Sequence, residues 1–251
     1  MAFTGSKFIE DDYLNIARNL VKGASSIHKF GAVPSLSINQ TGTVWDVNDT
    51  LYPWTALDTP GIINIARANA ADDGHVVTVQ GLDENYNYQS ENITIVGPDT
   101  PGVKLWRRIN RAFCTLGGAT NTGNIDVEAL APGGTIVARI NAGLGQTLMS
   151  VYTIPNGYNG YIVQGVATVQ SNADATGSMF VKYFGQSVFR VGHTFEVSGN
   201  GGQYLYKFGV PILIPAKSDI DVRANVRSNN ARVTAAFDII LMRQEDDRGV
   251  R

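Results

Sequence analysis

The sequence predicts an all-β protein, a β-sandwich or jelly-roll body preceded by an N-terminal helical arm. Apolar and polar residues alternate with period two over much of the chain after Thr41, and turn clusters break that alternation at intervals of roughly 8 to 14 residues. A helical period is found only near the N-terminus.

The arm comes first. Between Ile9 and Lys22 the residues Ile9, Tyr13, Ile16, Ala17, Leu20 and Val21 recur every three or four positions, which places them along one stripe of a helix. Glu10, Asp11 and Asp12 fall in its first turn and Lys22 in its last, as the macrodipole favours, and Gly23 is a natural stop. From Ala24 to Gln40 no period is sustained, and Pro34 with scattered Ser and Gly predicts an extended linker. Residues 1–40 are therefore expected to form an arm with one amphipathic helix.

The body follows. In Ile220-Asp221-Val222-Arg223-Ala224-Asn225-Val226-Arg227 every second side chain is apolar and the others are charged or amide, the mark of a half-buried strand. Similar alternation runs through Val233 to Leu241 and Phe189 to Val197. Turn clusters such as Asp72-Asp73-Gly74, Pro132-Gly133-Gly134 and Gly199 to Gly202 separate the strands. Many short strands without intervening helices favour a sandwich or jelly roll over a βαβ fold. A break near Leu116 to Thr122 divides the body into an N-terminal β region, 41–116, and a C-terminal sandwich, 117–251, which ends in a short charged tail.

Composition narrows the function classes. Apolar residues make up 43% of the 251 residues and charged residues 17%, which excludes a disordered chain and leaves much of the surface uncharged. A net charge of −2 argues against nucleic acid and against a polybasic membrane patch. No apolar run is long enough to span a bilayer, and the N-terminus has no signal-peptide core, so a soluble chain without a leader is expected. Cys114 is the single cysteine, which excludes an intramolecular disulfide and a cysteine metal cluster, and it reads as an inert buried thiol.

Catalytic patterns are missing. His28, His75 and His193 have no second ligand at metal-binding spacing, and no serine elbow, P-loop or H-E-x-x-H motif occurs. Asn172 to Gly177 resembles the first half of a calcium loop, but Tyr183 stands where the closing acid belongs. The expectation is no enzyme, no cofactor and no metal. Trp45, Tyr52 and Trp54 cluster around Pro53, and Tyr204, Tyr206 and Phe208 share one strand face. Either set would anchor a partner, stack on sugar or fill the core. Alternation puts Arg107 and Arg111 on a mostly apolar face with Leu105 and Phe113, where they need an ion pair, a subunit interface or an exposed edge.

Several segments together resemble a family of virion structural proteins of tailed bacteriophages, especially marine and cyanobacterial phages. They are His28-Lys29-Phe30-Gly31, Thr43-Val44-Trp45-Asp46, Leu51-Tyr52-Pro53-Trp54, Val79 to Tyr86, Gln146 to Pro155 and Phe237-Asp238-Ile239-Ile240-Leu241. The resemblance spans Phe3 to Met242 and rests on packing and turn motifs, so it implies a capsid-associated role without a catalytic one. Beside it, a low-charge, Gly-rich β body with a short arm suits a capsid decoration or cement protein on the capsid surface. The expected partners are the chain itself, as a homotrimer, and the major capsid protein. Phe3, Phe8, Ile9, Tyr13, Ile16 and Leu20 would be the arm's anchors, with Trp45, Tyr52, Trp54, Arg107 and Arg111 as candidate interface residues. The alternatives are a spike or head- or tail-fibre module binding host-surface glycan through Trp54, Tyr86 and Tyr88, and a neck or tail ring protein.

Overall fold

The computed structural model describes residues 12–116, 120–170 and 172–247. Within them the protein is all-β, as the alternation requires. After a short helix, α1 (Asp12–Ala17), sixteen strands follow: β1 (Ala24–Leu36), β2 (Thr41–Thr43), β3 (Ile63–Arg67), β4 (Val76–Leu82), β5 (Tyr88–Thr94), β6 (Asp99–Pro101), β7 (Arg108–Leu116), β8 (Ile125–Ala129), β9 (Ile136–Ile140), β10 (Val151–Thr153), β11 (Tyr158–Val169), β12 (Ala175–Lys182), β13 (Arg190–Val197), β14 (Gln203–Ile214), β15 (Asp219–Val226) and β16 (Ala231–Arg243).

Pairing assembles four sheets around two apolar cores. One sheet has the order β1-β16-β11-β14 and another β10-β15-β12-β13, with β2 added against β15. Their inner faces meet in a core that includes Val33, Ile162, Val222, Val233, Phe237 and Ile239. The remaining sheets, β6-β3-β8-β9 and β5-β4-β7, enclose a second core that includes Ile65, Val79, Trp106, Ile109, Val127 and Ile140. The segment between β2 and β10 is thus an insertion between strands of the first two sheets.

Three boundaries differ from the sequence reading. The helix stops after Ala17 rather than at Lys22, because Asn19 turns left-handed (φ 56°). The Asn19 and Leu20 N–H groups then donate to the carbonyls of Ile16 and Asn15, each at 2.9 Å, which closes the helix with a Schellman motif. The expected linker from Ala24 is instead the edge strand β1, paired with β16 along its length. Its period is hidden because it bulges between Val33 and Leu36 and because Gly31 to Val33 are covered on both faces. The division expected at 117 falls near 150, since β8 pairs with β3 and carries the insertion past that point.

Gly31 marks where the insertion leaves and rejoins the body. A Cβ there would lie 2.3 Å from the Val44 carbonyl oxygen and 2.4 Å from the Ser150 nitrogen, so only glycine permits the approach. The Ser150 N–H donates to the Val44 carbonyl at 2.9 Å, and the Val44 N–H donates to that of Val222 at 2.8 Å, joining the outgoing and returning segments to β15.

The polar side of β15 is the largest departure from its pattern. Ile220, Val222 and Ala224 enter the core as the alternation predicts, but Asp219 and Asp221 on the other face are buried too, 2% and 0% exposed. Asp219 accepts from Arg108 on β7 through both oxygens, at 3.0 and 3.1 Å, and from the Thr153 hydroxyl at 2.7 Å. Lys182 Nζ lies 3.0 Å from its other side. Asp221 accepts from the Thr43 hydroxyl at 2.9 Å, Trp54 Nε1 at 3.0 Å and Arg223 Nε at 2.8 Å. Burial pushes the Asp221 carboxyl up, and Arg223, Trp54 and Thr43 oppose the shift. The charged tail is not free either. Asp247 accepts from the Tyr161 hydroxyl at 2.8 Å and Asn159 Nδ2 at 2.6 Å, and Lys22 reaches Asp246 at 3.0 Å.

Asp219→Ala would leave Lys182 without its carboxylate and Arg108 with Asp58 alone, under the insertion. It is expected to lower stability by about 3–5 kcal/mol, measured from the urea unfolding midpoint. Lys22→Ala, at the exposed pair, is expected to leave that midpoint nearly unchanged.

Candidate functional site

The described residues present two surfaces suited to a partner. The first surrounds the helix. Ile16 is buried beside β1, and with Tyr13 it lines a cleft of about 390 Å3 that Ile27, Phe208 and Ile240 also border. His28 Nδ1 is hydrogen-bonded to Asp238, whose other oxygen accepts from Gln164 Nε2, so these three polar side chains of the cleft satisfy one another. Tyr13 and Leu20 face solvent. Phe3, Phe8 and Ile9 lie outside the described residues.

The second surface is the edge formed by β13 and β14. Both strands end their sheets, and β14 is 12 residues long. Leu205, Val210 and Leu213 on β14 and Val191 on β13 are exposed, and Lys207 is the only charge on β14. Pro211 sits within the strand, which an edge tolerates because no neighbour needs its missing N–H. Between the two strands Tyr204, Tyr206 and Phe208 converge on His193, whose ring lies 5.1 Å from Tyr206 and 5.0 Å from Phe208. His193 Nε2 is hydrogen-bonded to the Tyr204 hydroxyl. Desolvation holds this imidazole below its ordinary pKa. The ring stripe seen in the sequence therefore fills the gap between β13 and β14, with Tyr206 at its exposed rim.

The other candidate interface residues are placed differently. Trp45, Tyr52 and Trp54 are all buried in the second core, the last of the three roles open to them, and so do not present an interface on this surface. Their rings meet edge to face, 5.1 Å from Trp45 to Tyr52 and 4.7 Å from Tyr52 to Trp54. Trp54 reaches across to Phe189, in the connection between β12 and β13 of the body, at 5.4 Å. The cluster fastens the insertion to the body. Arg107 donates to the carbonyls of Glu84 and Asp58 and stacks on Tyr86, while Arg111 donates to Gln146 and stacks on Phe113. The buried arginine is Arg108 between them. β7 slips against β4 between Gln80 and Gly81, and that shift changes the facing of the Arg107–Arg111 stretch.

Sequence reasoning gave no role to Arg108, Asp219 or Lys29, because their partners lie on strands distant in the chain. Among the described residues no three His, Cys, Asp or Glu side chains converge as metal ligands. Asp174, in the expected calcium-like stretch, accepts from the Gly199 N–H at 3.2 Å and so braces a turn. The Cys114 thiol is pushed up by partial burial. No described helix is long and apolar enough to cross a membrane.

No family model matches the sequence, and no curated protein matches it. Among solved structures, the T13 particle of infectious bursal disease virus aligns over 89% of this chain and 70% of its own, at 10% identity and a TM-score of 0.25. The VP2 subviral particle of the same virus aligns over 96% and 75%, at 10% identity and a TM-score of 0.23. Likeness at this level establishes no family.

One buried acid stands apart from the ion pairs. Asp46, 2% exposed, accepts from the Leu148 N–H at 2.9 Å through Oδ2, while Oδ1 has no hydrogen-bond partner among the described residues. Burial pushes this carboxyl up to about 7. Between the ordinary carboxyl range near pH 4 and pH 7, the folded protein holds a proton that the unfolded chain has lost, so stability falls as pH rises through that window. Asp46→Asn keeps an acceptor for Leu148 and removes the titration. Thermal unfolding followed from pH 4 to pH 8 is expected to show a smaller decline in Tm for the variant than for the parent.

Proposed function

We propose that this chain is a virion structural protein of a tailed bacteriophage, a decoration or cement protein that assembles as a trimer on the capsid shell. We read its body as a jelly roll with a long insertion. The observation that carries this reading is the strand order, β1-β16-β11-β14 against β10-β15-β12-β13. After β1, the chain passes through β10 to β16 by crossing repeatedly between the two sheets, and its first and last strands lie side by side, the arrangement of two Greek keys wrapped into one sandwich.

Three further features support assembly. The β13–β14 edge exposes unpaired backbone and apolar side chains, a combination that soluble monomers ordinarily cover or charge. The arm joins the body at the opposite edge, beside β1, with Tyr13 and Leu20 exposed. Burying such anchors against the major capsid protein or a neighbouring copy contributes roughly 1.5–3 kcal/mol each, less the ordering cost. Many copies on one shell add avidity. A second reading, a spike or fibre module that binds host-surface glycan, is favoured by the exposed rings of Tyr88 and Phe184, although Trp54 is buried and takes no part.

The mass of the protein in solution and its copy number per particle test the first reading. A trimer present in hundreds of copies is expected, whereas a monomer, or a ring of six or twelve in one set per particle, would assign the protein elsewhere. Deleting residues 1–11 together with Tyr13→Ser and Leu20→Ser, both exposed, leaves β1 intact and is expected to preserve unfolding behaviour while abolishing attachment to shells. Attachment retained by that variant would refute the arm's role.

A further inference from the structure

A second cleft, of about 510 Å3, opens between β1 of the body and β4, β5 and β7 of the insertion. Its base holds a lysine in an unusual setting. Lys29 is 7% exposed, and its Nζ donates to the Asn110 carbonyl at 2.5 Å. No carboxylate pairs with it among the described residues. Burial, with the positive charge of Arg111 beside it, holds the ammonium down to about 7. Asp46 acts on it through space, without lining the cleft.

Arg111 stands at the rim. One of its N–H groups donates to Gln146 Oε1 at 2.7 Å, and no ion pair engages the guanidinium among the described residues. The lining contains Lys29, Arg111 and His28 but no Asp or Glu. His28 is committed to Asp238. Lys29 and Arg111 thus line one cleft whose walls carry no carboxylate, and an anion bound there would favour the charged form of the lysine. The remaining walls decide what kind of anion. Tyr88, Tyr152 and Phe30 supply ring faces, and Gln80, Thr147 and Ser26 supply neutral hydrogen-bonding groups. Tyr88 is 59% exposed and so available to a ligand.

We propose that this cleft binds an organic carboxylate of sugar-acid size, its carboxylate between Lys29 and Arg111 and its ring against Tyr88. Rings, amides and hydroxyls suit a polyhydroxylated ring, and a guanidinium beside an ammonium suits a carboxylate. The volume lies within the range of small-ligand sites. The site does not depend on whether the chain decorates a shell, and the oligomer and copy-number measurements stand independently of it.

The probe is D-glucuronate, titrated into the full chain by calorimetry and followed by saturation-transfer NMR, with glucose and sulfate as controls. Saturable glucuronate binding is expected, with no binding of glucose at the same concentration. Arg111→Gln, a change at the exposed rim, is expected to weaken glucuronate roughly tenfold or more by removing a charge-assisted contact. Lys29→Met is expected to abolish binding, and the Arg111 variant decides the question if the lysine variant fails to fold. Absence of glucuronate binding, binding unchanged in the Arg111 variant, or displacement by equimolar sulfate would each overturn the assignment.

Discussion

Two carboxylates on one strand hold the two halves of the protein together. Asp219 and Asp221 project from β15 away from the body's core and into the insertion, where burial would be prohibitive without partners. The partners come from everywhere around them: Arg108 from β7, Lys182 from β12, Thr153 from β10, Thr43 from β2 and Trp54 from the turn after it. Each of these elements must be in place for the charges to be satisfied. The insertion is therefore seated by geometry-specific polar bonds, with the Trp45–Tyr52–Trp54 rings supplying the apolar contact around them. Apolar packing alone would tolerate sliding, whereas a bidentate arginine fixes angle and register.

That arrangement also explains what could be read in advance. The alternation of β15 and β16 was legible because half of each strand faces one core, and that requirement is written locally in every second residue. The polar half of β15 reads as solvent-facing by the same rule. Its burial depends on an insertion that begins nearly 180 residues earlier, since Thr43 and Asp221 are 178 positions apart. β1 escaped for a related reason: covered on both faces at its centre and bulged at its end, it carries no clean period. The aromatic cluster was visible with the core among its possible roles, but composition, the same for a core and for a platform, could not choose between them. Lys29 stood out only as part of the His28-Lys29-Phe30-Gly31 segment, and nothing in a stretch without period marked its burial.

The surface follows a complementary logic. Of the twelve residues of β14, Lys207 alone is charged. A long edge strand with apolar side chains and a single lysine has few of the usual defences against pairing with another chain. In the body, β1 and β14 occupy opposite ends of one sheet. Contacts made at one end leave the other open, which is the geometric requirement for a subunit that touches more than one neighbour.

The crossing at Gly31 reaches beyond this one protein. Because Val44 and Ser150 are hydrogen-bonded to each other where the insertion leaves and rejoins the body, the body experiences about a hundred inserted residues as little more than a tight connection between two of its strands. Evolution can lengthen, shorten or exchange such a module without redrawing the frame that carries it. The same adjacency offers a grafting point, at which a foreign domain with neighbouring termini would inherit a ready-made stem.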